Sequence, residues 1–310
     1  MNDLPEAPLP SSPETTRALF PGFRELDIPT SGATIRVLTG GTGPALLLLH
    51  GNPQTHVMWH KIAPALARDY SVVLTDLRGY GDSSKPEGDE RHANYSFRAM
   101  AQDQIDVMRA LGHQRFMLAG HDRGARTAHR LCLDYPQAVE KVALLDIAPT
   151  LTMYDDTGKE FATRYVWWFF LIQPAPFPER LIGLDARYFL EHHLTMQGKS
   201  GDIVTAQAFA EYARCFCCTS TIHAVCEDYR AAAGIDLEMD RADEAAGKKI
   251  AAPVLALWGA NGTVGKLWDV LATWRTKSSG PVSGKALDGG HYLAEERPRE
   301  VLAEFQTFFR

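Results

Sequence analysis

RFMLAGHDRGAR, residues 115–126, is the stretch on which the reading of the fold turns. An apolar run, Phe116 to Ala119, ends in Gly120-His121-Asp122-Arg123-Gly124, and a helix-like segment from Ala125 to Leu133 follows at once. A chain that passes from strand to helix in so few residues must turn sharply, and Gly120 and Gly124 permit that turn. The residue between them is left standing at the carboxyl end of the strand. Here it is Asp122, which in such a place serves as a helix cap, an ion-pair partner or a nucleophile.

The same kind of apolar run recurs on either side of this stretch. ALLLLH (45–50), SVVLTD (71–76) and KVALLD (141–146) are continuous, as in strands buried on both faces, and a helical segment from Phe97 to Leu111 separates two of them. Such alternation predicts a parallel sheet. FRELDIPT and TIRVLTG, joined around Ser31-Gly32, read as a hairpin ahead of it. From about Thr150 to Lys249 the sequence is aromatic, helix-rich and without β runs. PVLALWG (253–259) restores a strand, a weaker one follows at Val282 to Leu287, and a helix closes the chain from Pro298. The fold class is therefore α/β, with a mostly parallel central sheet and a helical cap inserted between its sixth and seventh strands. Residues 21–149 and 250–310 form the core and 150–249 the cap, while the proline- and serine-rich residues 1–20 are expected to be a flexible arm.

Bulk properties exclude several classes. The chain has 310 residues, with 45% hydrophobic and 23% charged, enough to bury a full core. A net charge of −6 with a pI near 6.0 carries no signature for a polyanion, so nucleic acid is not an expected partner. The N-terminus lacks the basic start and apolar run of a signal peptide, and VWWFFLI (166–172) is too short to span a bilayer. A cytoplasmic protein with no membrane association is expected. Five cysteines, Cys132, Cys215, Cys217, Cys218 and Cys226, do not complete any metal-ligand spacing and read as free, mostly buried thiols; no metal is expected.

Ligand sites of parallel α/β sheets form at the carboxyl ends of the strands. After ALLLL stands His50-Gly51-Asn52-Pro53, after RFMLA the GHDRG turn, after KVALL Asp146, and near the chain end Gly289-Gly290-His291. Gly-x-Asp-x-Gly has the spacing of a nucleophile elbow with Asp where lipases carry Ser, and the order Asp122, Asp146, His291 is that of nucleophile, acid and base. Backbone N–H groups of Asn52 and Arg123 are placed to bind an oxyanion. Asp76 and His50 read as turn- and loop-organising residues. Arg123 and Arg126, three apart at a helix start, can face one pocket, where they would lower the pKa of Asp122 and bind a second carboxylate.

HGNPQTHVMWH, DLRGYGDSSKP, HANYSFRAMA, GHDRGAR, LDIAPT, QPAPFPE, CEDYRAA and GGHYLAEE together make the chain resemble the haloacetate (fluoroacetate) dehalogenases of the α/β-hydrolase fold. The resemblance runs over nearly the whole chain after the arm. Haloalkane dehalogenases and epoxide hydrolases usually carry tryptophan after the nucleophile, where this chain has Arg123. The resemblance implies conversion of a small haloacid to glycolate and halide through an aspartyl ester, without a cofactor, and a homodimer. Asp122 would be the nucleophile, His291 the base oriented by Asp146, and Arg123 with Arg126 the substrate carboxylate clamp. The family's halide ligands, a His-Trp pair and a tyrosine, map to Trp167, Trp168 and Tyr229, with tryptophan replacing the histidine at 167. That replacement predicts better handling of chloroacetate or bromoacetate than of fluoroacetate, whose departure depends most on hydrogen-bond donors. The alternative reading is an epoxide hydrolase, for which Tyr229 is one candidate acid. Phe169 and Phe170 read as packing.

Overall fold

In the computed structural model, residues 4–8, 13–198 and 203–310 are described. Helix α1 (Pro13–Leu19) leads into the antiparallel hairpin β1 (Arg24–Pro29) and β2 (Thr34–Gly40). The core continues through β3 (Ala45–Leu49), α2 (Ala63–Leu66), β4 (Ser71–Thr75), α3 (Phe97–Ala110), β5 (Phe116–His121), α4 (Arg123–Asp134) and β6 (Val139–Leu145). Then come the insertion helices α5 (Thr150–Asp155), α6 (Lys159–Arg164), α7 (Val166–Phe170), α8 (Phe177–Leu184), α9 (Ala186–Gln197), α10 (Ala206–Phe216), α11 (Thr219–Ala233) and α12 (Ile235–Ala245). The chain returns to the sheet with β7 (Val254–Gly259), α13 (Val264–Leu267), α14 (Val270–Thr276) and β8 (Val282–Leu287), and ends in α15 (Leu293–Glu296) and α16 (Pro298–Phe308).

The eight strands form one sheet in the order β1-β2-β4-β3-β5-β6-β7-β8. Pairing is antiparallel as far as β2–β4 and parallel across every pair beyond it. The apolar runs explain the layering: every residue of β3 and β5 is buried, as strands covered by helices on both faces require. Edge strand β8 alternates and is half exposed, which is why its sequence signal is weak. Register aligns Leu49 with Gly120, His121 with Leu145, and Leu145 with Leu257. The turns after β3, β5, β6 and β7 therefore leave the sheet at one edge, and the site is assembled there.

The N-terminal segment departs from the expected loose arm. Residues 13–19 are helical, and Leu19 and Phe20 are buried, with the Phe20 ring 5.7 Å from Phe23 and 5.6 Å from His56. Carbonyls of Pro5 and Glu6 accept the amide N–H groups of Thr219 and Ser220 at the start of α11. Apolar anchors within a polar composition dock this segment, and composition averages hid them. Residues 1–3 and 9–12 lie outside the described residues.

Among the described residues no helix is long and apolar enough to cross a membrane. All five cysteines are free, and only Cys217 is partly exposed.

Candidate active site

The elbow is built by close approach. A side chain at Gly120 would meet the backbone of Gly124 at 2.5 Å, and one at Gly124 would meet the His50 carbonyl at 2.4 Å. Only glycine lets α4 press this tightly against β3 and β5. Between them Asp122 adopts φ +43°, ψ −113°, a conformation L-residues rarely take and one that surrounding structure must impose. The strain holds its carboxylate above the sheet edge, 4% exposed.

The Asn52 N–H donates to Asp122 Oδ2 at 3.1 Å. Arg123 opens α4, so its amide belongs to the first-turn N–H groups that a helix leaves without an internal acceptor. Burial pushes the Asp122 pKa upward, but His291, Arg126 and Arg123 outweigh it, and the carboxyl lies below its ordinary value. A buried carboxylate held ionised beside two guanidiniums has the charge state that nucleophilic attack requires.

Asp146 ends β6, again with positive φ (48°), tied by its own N–H to the Leu257 carbonyl at 2.7 Å. One carboxylate oxygen accepts the Gly259 N–H at 2.9 Å, and the other lies 2.6 Å from His291 Nδ1. With Nδ1–H donating to Asp146, the opposite nitrogen of His291 is free to accept a proton. Burial disfavours the charged ring, yet the Asp146 hydrogen bond and the charges of Asp146 and Asp122 raise its pKa above the ordinary imidazole value. His50 and Asp76 do organise loops: Leu77 N–H donates to His50 Nε2 at 3.0 Å, and Asp76 lies 2.8 Å from His56 Nδ1.

Both arginines are buried, but they are held differently. Arg123 is paired with Asp228 of α11, through Nε to Oδ2 at 2.8 Å and through Nη2 to Oδ1, and Tyr80 donates to Asp228 Oδ2 at 2.6 Å. Arg126 hydrogen-bonds neutral partners, donating to the carbonyl of Ala148 at 3.2 Å and to Thr150 Oγ1 at 3.0 Å, and its Nε makes a longer ion pair, 3.9 Å, with Asp122 Oδ1. Each guanidinium keeps one buried donor without a partner among the described residues, Nη1 of Arg123 and Nε of Arg126. Asp228 was not singled out in the sequence, although it stands next to Tyr229 in CEDYR. The pair carries a stability prediction. Arg123→Met strands a buried carboxylate and is expected to cost about 3–5 kcal/mol in denaturant unfolding, with the double variant Arg123→Met/Asp228→Asn recovering part of it.

The aromatic candidates separate into two groups. Trp168 packs its face under the Arg126 guanidinium at 4.6 Å, and its indole Nε1–H has no hydrogen-bond partner among the described residues. Tyr229 lies beneath Arg123 at 4.2 Å, and its hydroxyl oxygen accepts from Asn52 Nδ2 at 3.4 Å. These two converge on the Asp122 side chain's surroundings. Trp167 is buried beside them, its ring 5.2 Å from Tyr165 and 4.5 Å from His193 of α9. His193, in the unpatterned stretch LEHHL, carried no signal in the sequence. Tyr154, also not singled out, has a buried hydroxyl with no hydrogen-bond partner among the described residues, and its ring lies 4.8 Å from Trp168.

Comparison with known proteins agrees with this architecture. The alpha/beta hydrolase fold family matches residues 44–298. A fluoroacetate dehalogenase from Burkholderia sp is 43% identical, with 93% of this chain and 95% of that protein covered. A soluble epoxide hydrolase from Corynebacterium sp. (strain C12) is 29% identical, over 90% of this chain and 94% of that protein. Among solved structures, a candidate α/β hydrolase from Nostoc sp PCC 7120 superimposes with a TM-score of 0.91 at 55% identity, covering 93% of this chain and 98% of that one. The chain belongs to the α/β-hydrolase fold family, in the group of the haloacetate (fluoroacetate) dehalogenases.

Proposed function

We propose that this α/β hydrolase cleaves the carbon–halogen bond of haloacetates, releasing glycolate and halide through an ester on Asp122. The observation that carries the reading is the pair of buried arginines beside that carboxylate, each with a donor that makes no hydrogen bond among the described residues. Unpaired buried donors are uncommon in folded proteins, and two on arginines whose charges both act on one nucleophile suit a small anionic substrate. With the substrate carboxylate held by Arg123 and Arg126, its carbon–halogen bond is aligned for in-line attack by Asp122. A carbon–oxygen bond forms as the carbon–halogen bond breaks, and the halide leaves with the electron pair. Trp167, Trp168 and Tyr229 are assigned to the departing halide.

His291, oriented by Asp146, then takes a proton from water, and the hydroxide attacks the Asp122 carbonyl carbon. The oxyanion so formed takes the place of Asp122 Oδ2 against the Asn52 N–H, with the Arg123 N–H as second donor. On collapse the departing oxygen takes back the proton held by His291, releasing glycolate, and the proton left on the Asp122 carboxyl passes to solvent, regenerating the carboxylate. The chain's residues suffice without a cofactor, and a homodimer in the cytoplasm is the setting we propose.

Measuring halide release from fluoro-, chloro- and bromoacetate on purified protein, beside opening of a neutral epoxide, tests the reading. Halide release is expected and epoxide opening is not. The epoxide reading is favoured by one observation, the buried unpartnered hydroxyl of Tyr154, a second tyrosine that could join Tyr229 in protonating an oxirane. It leaves the two guanidiniums without a task.

Arg126 is the cleaner probe of carboxylate binding, because the carboxylate it pairs with, Asp122 at 3.9 Å, keeps the Asn52 N–H and the charges of His291 and Arg123 when it is removed. Arg126→Met is expected to lower kcat/KM for chloroacetate by about 2–4 kcal/mol of transition-state binding, but to spare chloroacetamide. Equal losses on the acid and the amide would show that the arginine supports structure only.

A further inference from the structure

One buried ring at the site has no part in the reaction as derived so far. His193 is 3% exposed and stands at the inner face of α9. Its Nε2 is approached by two carboxamide nitrogens, Gln197 Nε2 at 3.1 Å and Asn52 Nδ2 at 3.5 Å. Carboxamide NH2 groups donate, so Nε2 is the accepting nitrogen and Nδ1 carries the ring proton. Nδ1 has no partner among the described residues. Burial lowers the His193 pKa to about 3, against the pull of Asp122, so the ring is neutral and keeps one donor and one acceptor.

The surroundings say what that donor could serve. Asn52, whose side chain lies near Nε2, also gives its Nδ2–H to the Tyr229 hydroxyl at 3.4 Å and its backbone N–H to Asp122. The His193 ring packs 4.5 Å from Trp167, the position where the resembled family has its halide-binding histidine. The indole and the imidazole are therefore neighbours in space, one contributed by α7 and the other by α9.

We propose that His193 supplies the imidazole donor of the halide pocket, hydrogen-bonding the halogen of a bound haloacetate as the carbon–halogen bond breaks. The inference rests on the dehalogenase reading. In the displacement step, the Asp122 oxygen bonds to carbon, the halide leaves with the bonding pair, and His193 keeps its proton while sharing it with the halide. Fluoride, the strongest hydrogen-bond acceptor among the halides, gains most. Counting His193, the pocket is equipped for fluoroacetate in a way that Trp167 alone did not suggest.

Specificity constants for fluoroacetate and chloroacetate, with fluoride and chloride titrations followed by tryptophan fluorescence, test this on full-length wild type, His193→Phe and His193→Gln. The phenylalanine variant should lose about 10- to 100-fold in kcat/KM on fluoroacetate, the loss of one donor to a developing anion, with a much smaller loss on chloroacetate. Its fluoride affinity should fall as well. The glutamine variant, which retains an N–H donor, should recover part of both. Equal losses on the two acids with unchanged halide affinity would make His193 a packing residue and overturn the proposal. If wild type releases no halide from any haloacetate, the dehalogenase reading fails by itself. The titrations then decide separately: fluoride affinity weakened by the phenylalanine change supports the donor, and unchanged affinity removes it.

Discussion

Asp122→Ala is expected to reduce turnover of any haloacetate by about 10⁴-fold or more, since removing a nucleophile abolishes the covalent route and leaves only binding and the oxyanion donors. Isotope placement makes the result specific. In a single turnover with enzyme in excess, in heavy-oxygen water, the label should enter the Asp122 carboxylate, because water attacks the enzyme's carbonyl carbon. Label appearing directly in glycolate would mean that water attacks the substrate carbon, and the aspartyl ester would have to be abandoned. The strained backbone at Asp122 is relevant here. The close approach of Gly120 and Gly124 to the neighbouring backbone imposes it whatever side chain the chain carries at 122, so loss of folding is not expected to mimic loss of chemistry.

His291→Asn separates the two half-reactions. Displacement of halide needs no base, whereas hydrolysis of the ester does. The variant should release about one equivalent of halide per site and then stall, with the alkylated Asp122 peptide accumulating for mass spectrometry. Steady multiple turnover would rule out His291 as the base. The same ring sets a pH dependence. It must be neutral to accept a proton from water, so kcat should fall as pH drops through its midpoint. Asp146 raises that midpoint in the resting site, and Asp122 adds to the rise. Once Asp122 is an ester its charge is gone and that contribution disappears. The acid limb of kcat, where hydrolysis limits, should therefore lie below the His291 midpoint titrated in the resting enzyme, and both should move down in Asp146→Asn.

Much of this protein was legible in its sequence, because the signals concerned are local. Continuous apolar runs ending in small or polar residues determine buried parallel strands and the turns after them, and the break in alternation after residue 149 marks where helices replace strands. Gly120 and Gly124 flank an aspartate for a reason readable from sterics alone: no side chain fits there. The positions of Asp122, Asp146 and His291, each just after a strand or near the chain's end, follow from the same grammar. Tertiary structure alone decided which charges meet. Arg123 and Arg126 look equivalent at a spacing of three, yet one is neutralised by Asp228 from a helix 105 positions away and the other is not. His193 packs against Trp167 although nothing in LEHHL distinguishes it from its exposed neighbour His192. Residues 13–20 dock through Leu19 and Phe20 despite a composition that reads as loose. Spacing along a chain specifies which face of an element a side chain takes. The partner it finds there depends on how distant elements pack, and in a low-dielectric interior that partner determines its charge, its free donors and its chemistry.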